Sequence, residues 1–267
     1  MTKTAIFGAG VMGEALLTGL LRGRWSQDDL VITEKRPDRA EVLRATYGVT
    51  VSSNVAAAEA ASTLLLVVKP QDMSALLAEI SPHIAGDCLV ISVAAGITTA
   101  FLESQLPEGS AVVRVMPNTP ALVDEGMSAI SPGRHCDEEH LARAEEILSA
   151  VGRVVRVPES QQDAVTAISG SGPAYIFYIV EAMVEAGVLL GIPRATATEL
   201  AVQTLYGSAK MLRETGEHPT VLRENVTSPA GTTAAALREL DDHKVRAAFL
   251  RAMEAARDRS SELASGS

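Results

Sequence analysis

The sequence predicts an α/β domain followed by an all-helical domain. In the first 160 residues, short runs rich in Val, Leu and Ile alternate with helical patterns, which is typical of β-α-β units and a parallel sheet. From Asp163 onward almost every segment has a helical pattern, and prolines at 173, 193, 219 and 229 start or break helices. We therefore place one domain at residues 1–160 and a second at residues 161–267.

The strands and helices of the first domain follow from this alternation. Each predicted strand is an apolar run of five to seven residues, and each predicted helix carries a longer amphipathic pattern. The predicted strands are 4–8, 30–34, 63–69, 88–93, 111–116, 127–131 and 153–157, and the predicted helices are 14–22, 37–46, 73–84, 99–106 and 138–151.

The second domain contains one unusually apolar helical segment, residues 173–190. A helix that is apolar nearly all round is expected to be buried, either in a domain core or between subunits. Glu181 and Glu185 interrupt the segment, so we do not interpret it as a membrane span. The final residues, ELASGS (262–267), are expected to fray.

Composition and charge disfavour several classes of function. The formal net charge of −10 disfavours nucleic-acid binding, because phosphate contacts need clustered Lys and Arg. The N-terminal MTKTAIFGAG lacks the apolar core of a secretion signal. The two cysteines, Cys88 and Cys136, are far apart and indicate a reducing compartment. Together these features predict a soluble cytoplasmic protein.

The most specific motif of the first domain is GAGVMG, residues 8–13, a complete G-x-G-x-x-G between a predicted strand and a predicted helix. In this motif Gly8 permits a tight turn, Gly10 lets the backbone approach a pyrophosphate, and Gly13 lets helix and strand pack closely. The helix N-terminus supplies N–H groups to the phosphates. The motif predicts a Rossmann-type dinucleotide-binding domain, with a glycine turn that binds no ligand as the alternative.

The residues after the second strand bear on the choice of coenzyme. Glu34 ends that strand about 20 residues beyond the last glycine, where an acidic residue binds the ribose hydroxyls of NAD. Lys35, Arg36 and Arg39 follow, and such a basic cluster suits the 2′-phosphate of NADP. A solvated loop face would also explain the basic residues. We favour NADPH and keep NADH as an alternative.

Further cofactor contacts are expected where the later strands end, because ligands bind at the carboxyl edge of such a sheet. VVKPQD (67–72) places Lys69 and Pro70 at this edge, and VAAGI (93–97) places small residues there. RVMPNTP (114–120) contains two prolines, which predict a rigid loop.

Two loops of the second domain lead into helix starts. SGSGPAY (169–175) feeds a helix that begins near Pro173, and VTSPAGTTAAALREL (226–240) brings Thr232 and Thr233 to the N-terminus of an alanine-rich helix. Exposed backbone N–H groups beside threonine hydroxyls make an anion site suited to a carboxylate. Simple helix capping is the alternative for both loops.

Several motifs together carry a resemblance to a known family. GAGVMG, VVKP, VAAGI, RVMPNTP, DAVTAISGSGPAY, GSAKML and VTSPAGTT occur in this order, and the chain resembles the pyrroline-5-carboxylate reductases from Thr4 to about Glu262. DAVTAISGSGPAY and VTSPAGTT are the most specific, because generic dinucleotide-binding proteins lack them. One departure is Ala230, where the family usually has glycine. The resemblance implies reduction of 1-pyrroline-5-carboxylate to L-proline by hydride transfer from NAD(P)H, the final step of proline biosynthesis.

The resemblance also implies partners and site residues. The helical domain would form a homodimer, assembled further into a ring of dimers, and the substrate would be a small imino acid. Thr233 would be catalytic, and Glu217, Gly231, Thr232 and Thr233 would bind the substrate. The implied cofactor contacts are Phe7, Gly8, Ala9, Gly10, Val11, Met12, Arg36, Asn54, Val67, Val68, Lys69, Pro70, Ala94, Ala95 and Gly96.

Other interpretations explain the sequence less well. HCDEEH (135–140) lacks the spacing of H-E-x-x-H, so we interpret Asp137 and the two glutamates after it as a helix cap and first turn, and predict no metal. A β-hydroxyacid dehydrogenase would need a catalytic lysine early in the second domain, whereas Lys210 lies late. A non-catalytic dinucleotide sensor would leave the 226–233 loop unexplained.

Overall fold

The computed structural model describes residues 3–265, which divide into two compact units. The first unit runs to Ser171 and also includes the residues from Ala256 onward, and the second unit is Gly172–Ala255. The division into a cofactor-binding domain up to residue 160 and a helical domain from residue 161 remains a prediction.

The first unit contains one eight-stranded sheet. Its strands are β1 (Thr4–Phe7), β2 (Leu30–Thr33), β3 (Thr50–Ser52), β4 (Thr63–Leu66), β5 (Leu89–Ser92), β6 (Ala111–Met116), β7 (Gly126–Pro132) and β8 (Gly152–Arg156). Their order is β3-β2-β1-β4-β5-β6-β7-β8. Neighbouring strands are parallel except β6 and β7, which are antiparallel. This arrangement confirms the predicted α/β class.

Helices accompany this sheet in the order that β-α-β units require. They are α1 (Val11–Arg22), α2 (Pro37–Tyr47), α3 (Asn54–Ala60), α4 (Met73–Ile80), α5 (Thr99–Gln105), α6 (Glu138–Leu148) and the short α7 (Gln162–Val165). A helical turn with π geometry, Thr166–Gly170, follows α7.

The core of this unit lies on both faces of the sheet. Along β1, Ile6 belongs to one buried cluster, whereas Ala5 and Phe7 belong to the other, because successive side chains of a strand point to opposite faces. The inner strands are therefore continuous apolar runs, as expected for a parallel sheet covered on both sides.

Four local features differ from the sequence prediction. The short β3 and α3 were not predicted. The helix predicted at 73–84 ends at Ile80, where a 3-10 turn with Pro82 follows. The segment around Ser169 is part of the π turn and not an open loop. The expected fraying of the tail is wrong for residues 262–265, which continue the last helix, and residues 266–267 lie outside the described part.

The second unit is helical throughout its regular structure. Its helices are α8 (Gly172–Leu189), α9 (Arg194–Thr215), α10 (Pro219–Asn225), α11 (Thr232–Asp242) and the first part of α12 (Val245–Ser265). Helices α8 and α9 pack through Val184, Ala197 and Ala201. A Cβ atom on Gly187 would lie 2.8 Å from the Cβ of Ala197, so this glycine lets the two helices approach closely.

Helix α8 exposes most of its apolar surface within a single chain. Only Pro173 and Val184 of this helix are buried. Phe177 is 66% exposed and Tyr178 is 75% exposed. The sequence predicted that residues 173–190 are buried either in a domain core or between subunits. Their exposure in the single chain excludes the domain core.

By length and composition alone, the helical stretch Glu159–Leu189 is apolar enough to cross a membrane. A single such helix is weak support for a membrane location, because Glu181 and Glu185 lie within it and an apolar subunit interface has the same composition.

Candidate active site

The glycine turn after β1 has a conformation that requires glycine. Gly8 has a φ angle of +97°, which L side chains rarely adopt. A Cβ atom on Gly8 would lie 2.8 Å from the carbonyl oxygen of Val67. The backbone N–H of Gly8 donates a hydrogen bond of 3.2 Å to the carbonyl of Thr33, which joins the turn to the end of β2.

The other two glycines of the motif have different roles. A Cβ atom on Gly13 would lie 2.1 Å from the carbonyl oxygen of Gly8, so only glycine lets α1 pack against the turn. A Cβ atom on Gly10 would meet nothing within 4 Å. Gly10 is also the N-cap of α1, and it offers no side chain to occupy the first-turn N–H groups. Open space at an uncapped helix N-terminus fits a pyrophosphate.

The remaining candidate cofactor residues of this unit follow the carboxyl ends of parallel strands or begin the helices after them. Val67, Val68, Lys69 and Pro70 follow β4, and Ala94, Ala95 and Gly96 follow β5. Arg36 is the N-cap of α2, and Asn54 is the first residue of α3. Because β1, β2, β4 and β5 are parallel, their carboxyl ends share one edge of the sheet, where ligands of such folds bind.

Asn54 has a side-chain partner that the sequence did not indicate. Its Nδ2 donates a hydrogen bond of 2.8 Å to Oε2 of Glu79 on α4. This bond fixes the orientation of the Asn54 amide beside the start of α3.

The end of α12 packs beside the loop that follows β5. Gly96 has a φ angle of +77°, and a Cβ atom there would lie 3.7 Å from the Cα of Ala264. The hydroxyl of Ser260, which is 8% exposed, donates a hydrogen bond of 2.7 Å to Oδ1 of Asp163. Sequence reasoning missed this packing because the polar tail carries no periodic apolar signal.

Asn118 links two motifs that the sequence singled out separately. Its Nδ2 donates to the carbonyl of Ser169 at 3.1 Å, and its Oδ1 accepts from the backbone N–H of Met127 at 2.8 Å. A Cβ atom on Gly170 would lie 2.5 Å from Cε of Met116. RVMPNTP therefore supports the π turn that begins the SGSG segment.

A partly buried ion pair ties β6 to the chain segment before α7. Glu159 accepts hydrogen bonds from the backbone N–H and hydroxyl of Thr99 and from Nη1 of Arg114, the last at 3.1 Å. Burial is the largest influence on this carboxyl and raises its pKa, but these hydrogen bonds outweigh it and leave the pKa of Glu159 below its usual value. The Arg114 side chain therefore has a structural role, as the partner of Glu159.

The start of α11, in the second unit, has the geometry that the sequence predicted. Gly231 is the N-cap of α11 and has no capping side chain, and its own N–H donates to the carbonyl of Ser228 at 3.0 Å. A Cβ atom on Gly231 would lie 2.4 Å from Oγ of Ser228. Ala230 has a φ angle of +57°, which explains why glycine is usual at this position.

The polar residues beside this helix start differ in exposure. Thr232 is exposed and Thr233 is half-buried, and they are the first two residues of α11. Glu217 is exposed in the turn between α9 and α10, where its backbone N–H donates to Oγ1 of Thr215 at 3.2 Å. The helix start therefore combines uncapped N–H groups with two hydroxyls, as a carboxylate site requires.

The acidic sequence HCDEEH caps a helix, as predicted. Asp137 is the N-cap of α6, and its side chain accepts the backbone N–H of His140 at 3.0 Å. Among the described residues, no group of three or more His, Cys, Asp or Glu side chains is placed to hold a metal ion.

Comparisons with known proteins identify the family. The family model for pyrroline-5-carboxylate reductase dimerisation matches residues 159–263, and the model for NADP oxidoreductase, coenzyme F420-dependent, matches residues 3–96. A pyrroline-5-carboxylate reductase of Corynebacterium melassecola is 46% identical and covers 98% of this chain and 99% of its own. The chain belongs to the pyrroline-5-carboxylate reductase family. It is therefore an NAD(P)H-dependent oxidoreductase that reduces 1-pyrroline-5-carboxylate to L-proline.

Solved structures of other pyrroline-5-carboxylate reductases have the same fold. The enzyme of Coxiella burnetii matches with a TM-score of 0.93 and 35% identity, covering 98% of both chains. The Plasmodium falciparum enzyme, solved with NADP bound, matches with a TM-score of 0.88 and 28% identity, again covering 98% of both chains. The dimerisation model spans α8 and α9, which accounts for their exposed apolar side chains.

Proposed function

We propose that this reductase binds the cofactor pyrophosphate at residues 7–12 and the substrate carboxylate at the start of α11. The observation that carries the first half is the glycine turn, where Gly8 and Gly13 are sterically required and Gly10 borders open space. The second half is supported by the N–H groups of Thr232 and Thr233, which no side chain caps, whereas the N–H of Gly231 already donates to Ser228. Arg36, Asn54, residues 67–70 and residues 94–96 complete the proposed cofactor site.

NAD(P)H supplies the hydride when it is bound. The N–H groups of Thr232 and Thr233 hold the substrate carboxylate beside the Gly231 turn, and the hydroxyl of Thr233 hydrogen-bonds the ring nitrogen. Glu217 contributes a second polar contact to the substrate. A protonated imine is already a strong electrophile, so the chain contributes mainly positioning and exclusion of water. Because the cofactor supplies the hydride and the chain positions the substrate, the reaction does not need an acid–base pair with strongly shifted pKa values.

The variant Thr233→Val tests the proposed substrate contact. It keeps the shape of the side chain and removes the hydroxyl, and we expect kcat with 1-pyrroline-5-carboxylate to fall at least ~10-fold, or about 1.4 kcal/mol. Thr233→Ser should restore most of the rate because it retains the hydroxyl.

Thr227→Val is the matched control for this experiment. It removes a hydroxyl in the same loop that donates to the carbonyl of Arg223 at 2.6 Å, so it should lower stability and leave kcat within two-fold. If Thr233→Val and Thr227→Val have the same kcat as the unmodified enzyme, Thr233 has no part in the reaction.

The assembly and cellular location extend this proposal. We propose a homodimer formed through residues 161–267 and assembled into a larger ring of dimers in the cytoplasm. Residues 1–160 form the cofactor domain, which prefers NADPH over NADH. The exposed apolar side chains of α8 and α9 support the dimer. Native mass spectrometry should give an even multiple of the 28.0 kDa chain larger than two, whereas a plain dimer would exclude the ring.

A further inference from the structure

The side chain of Asn118 bonds to β7 at the point where the chain leaves the sheet after β6. The last pair of the β6–β7 ladder is Met116 with Ala129, and the same antiparallel register would bring Asn118 opposite Met127. Asn118 is instead the N-cap of the 3-10 turn Thr119–Val123. Its Oδ1 accepts the backbone N–H of Met127 at 2.8 Å, so a side-chain amide bonds to β7 where the backbone of β6 no longer does.

The nitrogen of the same amide holds the π turn Thr166–Gly170. Nδ2 of Asn118 donates to the carbonyl of Ser169 in this turn at 3.1 Å. Gly170 also packs on the end of the Met116 side chain, since an added Cβ would lie 2.5 Å from its Cε. The end of β6 therefore fixes the turn by one hydrogen bond and one close packing contact. Single turns with π geometry are rare and frequently occur at functional sites.

The end of β6 lies at the edge of the sheet where we place the cofactor. Strands β5 and β6 are parallel, so Asn118 follows β6 at the same edge as residues 94–96 follow β5. Along this edge the strand order is β2, β1, β4, β5 and β6. In the proposed cofactor site the adenosine lies at β2 and the pyrophosphate at β1, so the nicotinamide extends towards β5 and β6. The π turn is then held beside the reacting end of the cofactor.

We propose that Asn118 is a positioning residue for hydride transfer, a role that rests on the proposed cofactor site. Its amide fixes the π turn, and the turn borders the space where the imine meets the nicotinamide. Hydride transfer requires the reacting atoms to lie about 3–3.5 Å apart, so a small displacement of a bordering group slows it strongly. Loss of the bond to Ser169 should therefore slow the transfer step. It should leave NADPH binding unchanged, because residues 7–12 and 67–70 supply the binding contacts.

Asn118→Asp tests this role with a side chain of the same shape. The aspartate keeps an oxygen that accepts from Met127, and it places a second oxygen where Nδ2 donated, so it repels the carbonyl of Ser169. NADPH bound to excess enzyme is mixed with saturating 1-pyrroline-5-carboxylate in a stopped-flow instrument, and the loss of nicotinamide absorbance gives the rate constant of a single turnover. We expect this rate constant to fall at least ~10-fold. The Kd of NADPH, measured by titration calorimetry, should stay within two-fold.

Ser110→Ala is the matched control at the opposite end of β6. Ser110 is buried just before the strand, and its hydroxyl donates to the carbonyl of Pro107 at 2.7 Å, so this variant also loses one side-chain bond to a backbone carbonyl. It should lower stability in urea unfolding and leave the single-turnover rate constant within two-fold. With enzyme in excess over NADPH, a partial loss of folded protein does not change this rate constant.

Gly170→Ala disturbs the same turn through a different contact. Its methyl group must displace the Cε of Met116 or move the turn, so this variant should also slow the single turnover. Combined with Asn118→Asp, its effect should be less than additive, as expected for two residues that act through one turn.

Three results would overturn the role of Asn118. They are a single-turnover rate constant within two-fold in Asn118→Asp, an equal fall in Ser110→Ala, and a Kd of NADPH outside the two-fold range, which would make Asn118 a cofactor contact. Should Asn118→Asp fail to fold, Gly170→Ala decides alone, and an unchanged rate constant there refutes the role. The proposed cofactor site fails separately: if a methyl group added at Gly10 leaves NADPH binding unchanged, that site is wrong whatever the rate of Asn118→Asp.

Discussion

The substitution Gly10→Ala tests the cofactor site with little disturbance to the fold. Gly10 has φ −70° and ψ −167°, an extended conformation that alanine adopts, and a Cβ atom there meets nothing within 4 Å. The methyl group would occupy the space that the pyrophosphate needs. We expect the variant to fold and to bind NADPH poorly.

The magnitude follows from the contacts that would be lost. One charge-assisted hydrogen bond is worth about 1.5–3 kcal/mol, so loss of one backbone contact to phosphate should weaken NADPH binding roughly 10- to 100-fold. The cost to folding should stay at or below about 1 kcal/mol, because alanine is a poorer N-cap than glycine and makes no clash. Titration calorimetry with NADPH and urea unfolding measure the two quantities on the same protein.

Gly13→Ala is the matched control, with the same added methyl group three residues later. Its Cβ atom would lie 2.1 Å from the carbonyl oxygen of Gly8, so the backbone must move. Overpacking of this kind costs about 1–3 kcal/mol of unfolding free energy, so this variant should lose more stability than Gly10→Ala does. If Gly10→Ala binds NADPH within two-fold of the unmodified enzyme, the pyrophosphate does not lie at Gly10.

Three further predictions follow from local chemistry. Ala230→Gly relieves the φ angle of +57° and should raise the unfolding free energy by about 0.5–1 kcal/mol after the gain in unfolded-chain entropy, and a decrease in urea unfolding would contradict it. Hydrogen bonds from Thr99 and Arg114 hold the pKa of Glu159 below 4.5, so its contribution to stability is present above that pH and is lost as the pH falls through the lowered pKa. Glu159→Gln should reduce this loss of stability in acid. An acid-unfolding curve identical to that of the unmodified enzyme would refute the contribution. Burial raises the pKa of the Cys88 thiol to about 12, so Cys88 should resist iodoacetamide at pH 8 until the chain unfolds, and rapid native labelling seen by peptide mass spectrometry would disagree.

The sequence predicted the parts of the fold that repeat a strong pattern. Buried parallel strands such as β4 and β5 are unbroken apolar runs, and the helix starts at Pro219 and Thr232 carry proline or glycine signals that act locally. The glycines at 8 and 13 predicted the turn because each meets a steric need of its own backbone, whereas Gly10 leaves open space at the start of α1.

Features that depend on strand pairing, on side-chain direction or on contacts far along the chain were not predictable. Strand β3 has three residues and half-exposed side chains, so it is defined by pairing with β2 rather than by its own composition. The pairs Glu34–Arg36 and Glu14–Arg39 required knowledge of side-chain direction, which a sequence pattern does not contain. The end of α12 likewise depends on its contact beside Gly96.

The claim that the substrate acid is held at the N-terminus of α11 is tested most directly by a crystal structure of the enzyme with NADP+ and L-proline. We expect density for the proline carboxylate within hydrogen-bond distance of the N–H groups of Thr232 and Thr233, with the ring nitrogen near the hydroxyl of Thr233. Proline bound elsewhere, with this helix start left free, would contradict the account.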